Sequence, residues 1–193
     1  MGQIRSFIAI EMPGEVKATL GSIIDRLHPA QHRCVKWVAP DSIHLTLKFL
    51  GNIDSNAVPG ITSAVERVAG GVPAMELNIG GLGMFPNERR PRVIWVALEG
   101  DIEPLAELQR NIERAMKPLG FEPEGRGFTP HLTLGRVRDN AAPNERTEIG
   151  QTVAATACDW EASFTIREVS LMKSTLAPSG ATYNRLALIE LKD

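Results

Sequence analysis

Two stretches, HLTLKFLG at 44–51 and HLTLGRV at 131–137, alternate apolar and polar residues and carry the same phrase: histidine, one residue, threonine. Period-two alternation marks a half-buried β-strand, and a strand sends residues i and i+2 to one face. A regular first strand groups His44, Thr46 and Lys48 and turns Leu45, Leu47 and Phe49 into a core. On the second, His131 and Thr133 share a face backed by Leu132 and Leu134. Gly135 then leaves that face bare beyond the threonine, open to close approach by a ligand. Two such strands in matching places predict two similar lobes facing one groove, rather than a solenoid of many repeats.

The remaining segments supply an α+β architecture. SFIAIE (6–11) reads as a buried strand, and the stretch from Pro13 to Leu27 as an amphipathic helix on Val16, Leu20, Ile23, Ile24 and Leu27, ended by Pro29. VKWV (35–38) suits a strand, 55–71 a helix starting near Pro59, and 74–85 and 92–100 two strands around a Gly/Pro-rich loop. A second amphipathic helix over 102–120 ends at Gly120. Pro130 pushes the second HxT strand toward a sheet edge or a strand start. A moderate helix covers 144–157, and 161–176 with 182–191 reads as a closing hairpin around APSGA.

Chain length allows one domain or two lobes with a shared core; the expectation is a single 1–193 domain of two intertwined lobes. A net charge of −2 excludes a uniformly basic coat but leaves room for a locally positive cleft. Two cysteines without framework spacing, and no apolar run long enough to span a bilayer, fit a cytoplasmic protein. Gly2 and Ser6 formally match a myristoylation pattern, but RSFIAIE already reads as a core strand.

Two imidazoles and two hydroxyls converging on one groove suit a phosphate. Threonine hydroxyls donate to its oxygens, and one neutral and one charged imidazole form a base–acid pair near neutral pH. The matching reaction is in-line displacement at a phosphodiester without a metal.

With both phrases in place, the chain resembles the 2H phosphoesterases, whose mark is two HxT/S motifs. Within them it is most similar to the RNA 2′,3′-cyclic phosphodiesterases also described as bacterial and archaeal 2′-5′ RNA ligases. RSFIAIEMP resembles that family's opening strand, DSIHLTLKFLG its first motif, RGFTPHLTLGRV its second and APSGATYNRLALIEL its closing hairpin. The resemblance implies a bilobal α+β fold, with two pseudo-twofold-related antiparallel sheets flanked by helices around a central cleft. It implies hydrolysis of a terminal 2′,3′-cyclic phosphate on RNA to a 2′-phosphomonoester, with no cofactor and no metal. By motif position His44 is the proton donor, His131 the proton acceptor, and Thr46 and Thr133 hold the phosphate. The expected partner is an RNA 3′ end, met by a monomer with no membrane association.

Further candidates for substrate contact are Arg126, Phe128, Arg136, Lys48, Phe7 and Tyr183. Arg126 and Phe128 precede the second motif and could touch phosphate or stack on a base. Lys48 has the parity of the polar face; Arg136 has the wrong parity on a regular strand. Phe7 and Tyr183 read as core rather than as platforms for a base. The alternatives are 2′-5′ RNA ligation, cleavage of 2′-5′ oligonucleotides or small cyclic phosphates, and a non-catalytic nucleotide-binding module. A metal site at His28, His32 and Cys34 is disfavoured because Pro29 breaks the helix between the histidines and no further ligand has suitable spacing.

Overall fold

The computed structural model describes residues 2–31, 33–125, 127–177 and 180–192. In chain order the strands are β1 (Gln3–Glu11), β2 (Val35–Trp37), β3 (His44–Asp54), β4 (Met75–Phe85), β5 (Val93–Gly100), β6 (His131–Val137), β7 (Ser163–Ile166), β8 (Glu168–Ala177) and β9 (Gly180–Glu190). The helices are α1 (Gly14–Gln31), α2 (Val58–Ala69), α3 (Ile102–Met116) and α4 (Pro143–Ala155).

The strands form two antiparallel sheets flanked by helices, in the orders β3-β1-β8-β9 and β2-β6-β5-β4-β7. The arrangement β3-β1-β8-β9 is repeated as β6-β5-β4-β7, with an HxT strand first in each, as the expected two-lobed plan requires. One buried cluster runs through both: Ile8, Ile10, Leu45 and Leu47 from the first sheet join Ile94, Val96, Leu132 and Leu134 from the second. The apolar stripe of α1 is buried as its spacing predicts, from Val16 through Leu27. Among the described residues no helix is long and apolar enough to cross a membrane.

Three local expectations are corrected. Helix α1 does not stop before Pro29 but continues to Gln31. Pro29 costs the helix one backbone hydrogen bond in its last turn, and the four turns before it, buried along one stripe, carry the helix on. The segment 161–176 is not one strand. β7 pairs with β4 in the second sheet and β8 with β1 and β9 in the first, so the chain changes sheets at Arg167. The hairpin then closes as expected, with Leu176 opposite Ala181. Pro130 stands at a strand start, as expected, and the strand it precedes, β6, is an inner one between β2 and β5.

The third correction governs the site. Both HxT strands carry a β-bulge, at the same place in each motif. On β1, Ile8 pairs with Lys48 and Ala9 with Thr46, which leaves Leu47 as the extra residue. On β5, Ile94 pairs with Gly135 and Trp95 with Thr133, which leaves Leu134 as the extra residue. A bulge reverses the parity of everything after it. Lys48 therefore lies opposite Ile8 on the core side, with Phe49 opposite Phe7 on the other face. Gly135 likewise faces the core and Arg136 joins the face of Thr133.

Burial agrees. Lys48 is 1% exposed and Phe49 56% exposed, the reverse of the regular-strand expectation. Gly135 is not a bare patch awaiting a ligand. A Cβ there would stand 2.7 Å from Val35 Cγ1 and 2.8 Å from Trp37 Cε3, so the missing side chain is what lets β2 pack on β6.

Candidate active site

The first residue of each motif strand is a histidine with its ring tied to the backbone. His44 Nδ1 lies 2.9 Å from the carbonyl oxygen of Ser42, and His131 Nδ1 lies 2.6 Å from that of Thr129. A carbonyl only accepts, so each Nδ1 carries the proton and each Nε2 is left for a ligand. The residue two places before each histidine performs the same task, so the two halves repeat at the level of single hydrogen bonds. Thr46 and Thr133 follow two residues later on the same faces, each half-buried, and β3 and β6 come within 8 Å of each other, Cα to Cα.

The surroundings of the two rings differ. His44 packs against Phe7, 4.7 Å away between ring centres, and Tyr183, 4.9 Å away and edge-on, and those two rings meet each other at 5.3 Å. Phe7 is buried, as the sequence suggests, but in a small cluster with Ala9, Met172 and Tyr183, apart from the main core. These two aromatics thus wall the histidine. Glu11, opposite His44 on β1, accepts from Ser170 Oγ at 2.8 Å and from Arg185 Nε at 2.6 Å. Burial raises the Glu11 carboxyl, but the bonds from Arg185 and Ser170 outweigh it and hold the group below the usual carboxylate range. Burial likewise pushes the His44 imidazole below its ordinary value, against the opposing pull of the Ser42 carbonyl and the Glu11 charge. His131 meets Phe85 edge-on at 5.1 Å and Trp95 at 5.9 Å.

Sequence reasoning missed Glu11, Phe49, Phe85 and Trp95. Glu11 and Trp95 are recognisable only through register, opposite His44 and Thr133. Phe49 is displaced from its expected core position by the bulge, and its ring stands 6.2 Å from that of Phe7.

Lys48 does not face the cleft. Its ammonium donates to Glu113 Oε2 at 2.6 Å and to the carbonyl of Glu122 at 3.0 Å, beneath the sheet. Gln109 Nε2 donates to the carbonyl of the bulged Leu47 at 3.2 Å and to Glu113 Oε1 at 3.3 Å. The bulge is thereby fastened to α3, and the loop before the second motif is fastened to the strand that carries the first. Phe128, in that loop, is half-buried and packs on the main core. Arg126 lies outside the described residues, as does His32 of the alternative metal site. The Cys34 thiol donates a hydrogen bond to Glu145 Oε1 at 3.0 Å, and no group of three or more His, Cys, Asp or Glu side chains able to hold a metal occurs among the described residues.

A family model described as the 2′-5′ RNA ligase superfamily matches residues 16–178. The sequence is 32% identical over 189 residues to the RNA 2′,3′-cyclic phosphodiesterase of Methanothermobacter thermautotrophicus, covering 98% of this chain and 100% of that protein. It is 29% identical over 183 residues to the protein of the same name from Thermotoga maritima, covering 95% and 93%. Among solved structures, TT0787 of Thermus thermophilus aligns with a TM-score of 0.81 at 27% identity over 98% of each chain. Escherichia coli LigT complexed with 3′-AMP aligns with a TM-score of 0.77 over the whole of both chains; at 22% identity this is a likeness of fold.

Proposed function

The chain belongs to the 2′-5′ RNA ligase superfamily, and from that membership and the geometry of the cleft we propose that it hydrolyses the terminal 2′,3′-cyclic phosphate of RNA to a 2′-phosphomonoester by two-histidine acid–base catalysis. The observation that carries the reading is the matched pair of imidazoles, each with Nδ1 committed to a backbone carbonyl and a threonine beside it on the same face. In the proposed step His131 Nε2 takes a proton from water as its oxygen attacks phosphorus. The P–O3′ bond breaks opposite the new one, and His44 gives its proton to O3′. Thr46 and Thr133 hold the non-bridging oxygens. Neighbouring Glu11 and the substrate's own negative charge favour the charged form of His44 that this role needs. The test is a substrate panel of cyclic-phosphate oligonucleotides, cyclic mononucleotides and 2′-5′ dinucleotides, with product regiochemistry read by NMR. Turnover of 2′-5′ linkages alone would replace the proposed reaction.

The pH dependence follows from the burial of His44. Its conjugate acid is disfavoured in the free protein, so kcat/KM is expected to fall with rising pH through a limb below about 6.5, the ordinary histidine value. Bound anionic substrate favours the charged ring, so the corresponding limb of kcat shifts to higher pH. The limbs are macroscopic values of the histidine pair. NMR titration of the His44 ring with and without inorganic phosphate checks the direction directly, and a ring that titrates above its ordinary value in the free protein contradicts the expectation.

The threonines give a second check. Thr46→Val and Thr133→Val keep shape and delete a donor to a charged oxygen. Each is expected to cost about 1–3 kcal/mol of transition-state stabilisation, read as kcat/KM, with little change in unfolding midpoint. Parent-like activity in both would remove the threonines from the site.

A further inference from the structure

The two lobes present different chemistry beyond their threonines. In the first, the residue re-aimed by the bulge is aromatic, Phe49; in the second it is basic, Arg136. Arg136 is paired on one side with Val93 and on the other with Lys36 of β2, so Lys36 stands on the same face. Both are exposed, as is Arg138 two residues on, where its N–H bonds the carbonyl of Cys34. None of the three is in an ion pair among the described residues. Like charges directly opposite on neighbouring strands destabilise a sheet. Here the pair lies about 7 Å beyond Thr133, two residues along β5 because Leu134 is the bulged residue, on the face that carries His131. An anion placed between the two side chains would relieve their repulsion.

We propose that Lys36 and Arg136 form a second phosphate subsite, which holds the internucleotide phosphate on the 5′ side of the reacting end of a single-stranded RNA. The assignment rests on the proposed function and gives the RNA a direction. The reacting phosphate lies between the histidines, and the preceding nucleotides leave the cleft over β6 and β2, away from the aromatic wall of Phe7, Phe49 and Tyr183. Oligonucleotides are then better substrates than the mononucleotide, because a mononucleotide has no phosphate to offer this row.

The experiment compares KM for a 2′,3′-cyclic mononucleotide and for a tetranucleotide ending in a 2′,3′-cyclic phosphate, in the parent, Lys36→Gln and Lys36→Glu. The tetranucleotide is expected to show the lower KM. Lys36→Gln raises it about three- to tenfold, Lys36→Glu raises it further, and neither changes the mononucleotide value. The log–log salt dependence for the tetranucleotide becomes shallower by about 0.7, one single-strand phosphate contact. Equal KM values for the two substrates in the parent, or a Lys36 effect equal on both, would overturn the subsite. Binding of a tetranucleotide that already ends in a 2′-phosphate, followed by fluorescence anisotropy, separates the two claims. If nothing is turned over, the proposed reaction fails, while loss or retention of Lys36-dependent binding still decides the subsite. Equal competition by an acidic peptide would make the row a protein-binding surface and likewise overturn it.

Discussion

Replacing either His44 or His131 by alanine is expected to lower kcat/KM by about 10²-fold or more, since a positioned acid or base contributes roughly 10²–10⁴. The double replacement is expected to cost far less than the product of the two single effects. The histidines serve one transition state, and once one proton transfer is lost the other has little left to assist. His44 carries a structural load as well, packed against Phe7 and Tyr183. His44→Gln, which keeps a polar group of similar reach, therefore belongs beside the alanine variant, with unfolding curves for both. Multiplicative losses would mean two independent contributions, and full activity in either single variant would end the acid–base reading.

The largest stability effect is expected at a residue with no part in the chemistry. Lys48→Met leaves Glu113 beneath the sheet without its partner, and removing one member of a buried pair typically costs about 3–5 kcal/mol. Lys48→Met with Glu113→Leu is expected to regain most of that, because replacing both charges by apolar groups is often close to neutral. Urea unfolding of the parent, the two single variants and the double gives the cycle. A Lys48→Met protein as stable as the parent would show that the ammonium is not what fastens the bulge to α3.

The sequence makes legible whatever depends on side-chain periodicity alone. Two alternating HxT strands and the stripe of α1 follow from spacing, so the two-lobed plan and the shared faces of His44 with Thr46 and of His131 with Thr133 are readable from the residues themselves. What spacing cannot report is a residue that belongs to a strand without taking its turn in the alternation. HLTLKF alternates without fault, and nothing in it marks Leu47 as extra. Only the register against β1 does, and it reverses the reading of Lys48 and Phe49 at once. The same event at Leu134 exchanges Gly135 and Arg136. Glu11 escaped notice for a related reason: it is the last residue of its strand, and its closeness to His44 is a fact of pairing. The change of sheet at Arg167 is hidden too, because both halves of 161–176 have strand composition and only their partners differ.

That crossing at Arg167 bears on how the enzyme is made. The first sheet joins strands far apart in sequence, with Phe7 opposite Met172, whereas β4, β5, β6 and β7 of the second all lie between β3 and β8. On a ribosome β1 and β3 emerge early and can pair with each other, but β1 must wait for β8, and pairings so distant in sequence are slow to form. His44 gains Tyr183 as a neighbour only after the intervening 138 residues and Tyr183 itself have been translated. Nascent chains halted before β9 would carry both histidines yet lack the Tyr183 ring beside the first, so the two halves of the cleft are completed at different times.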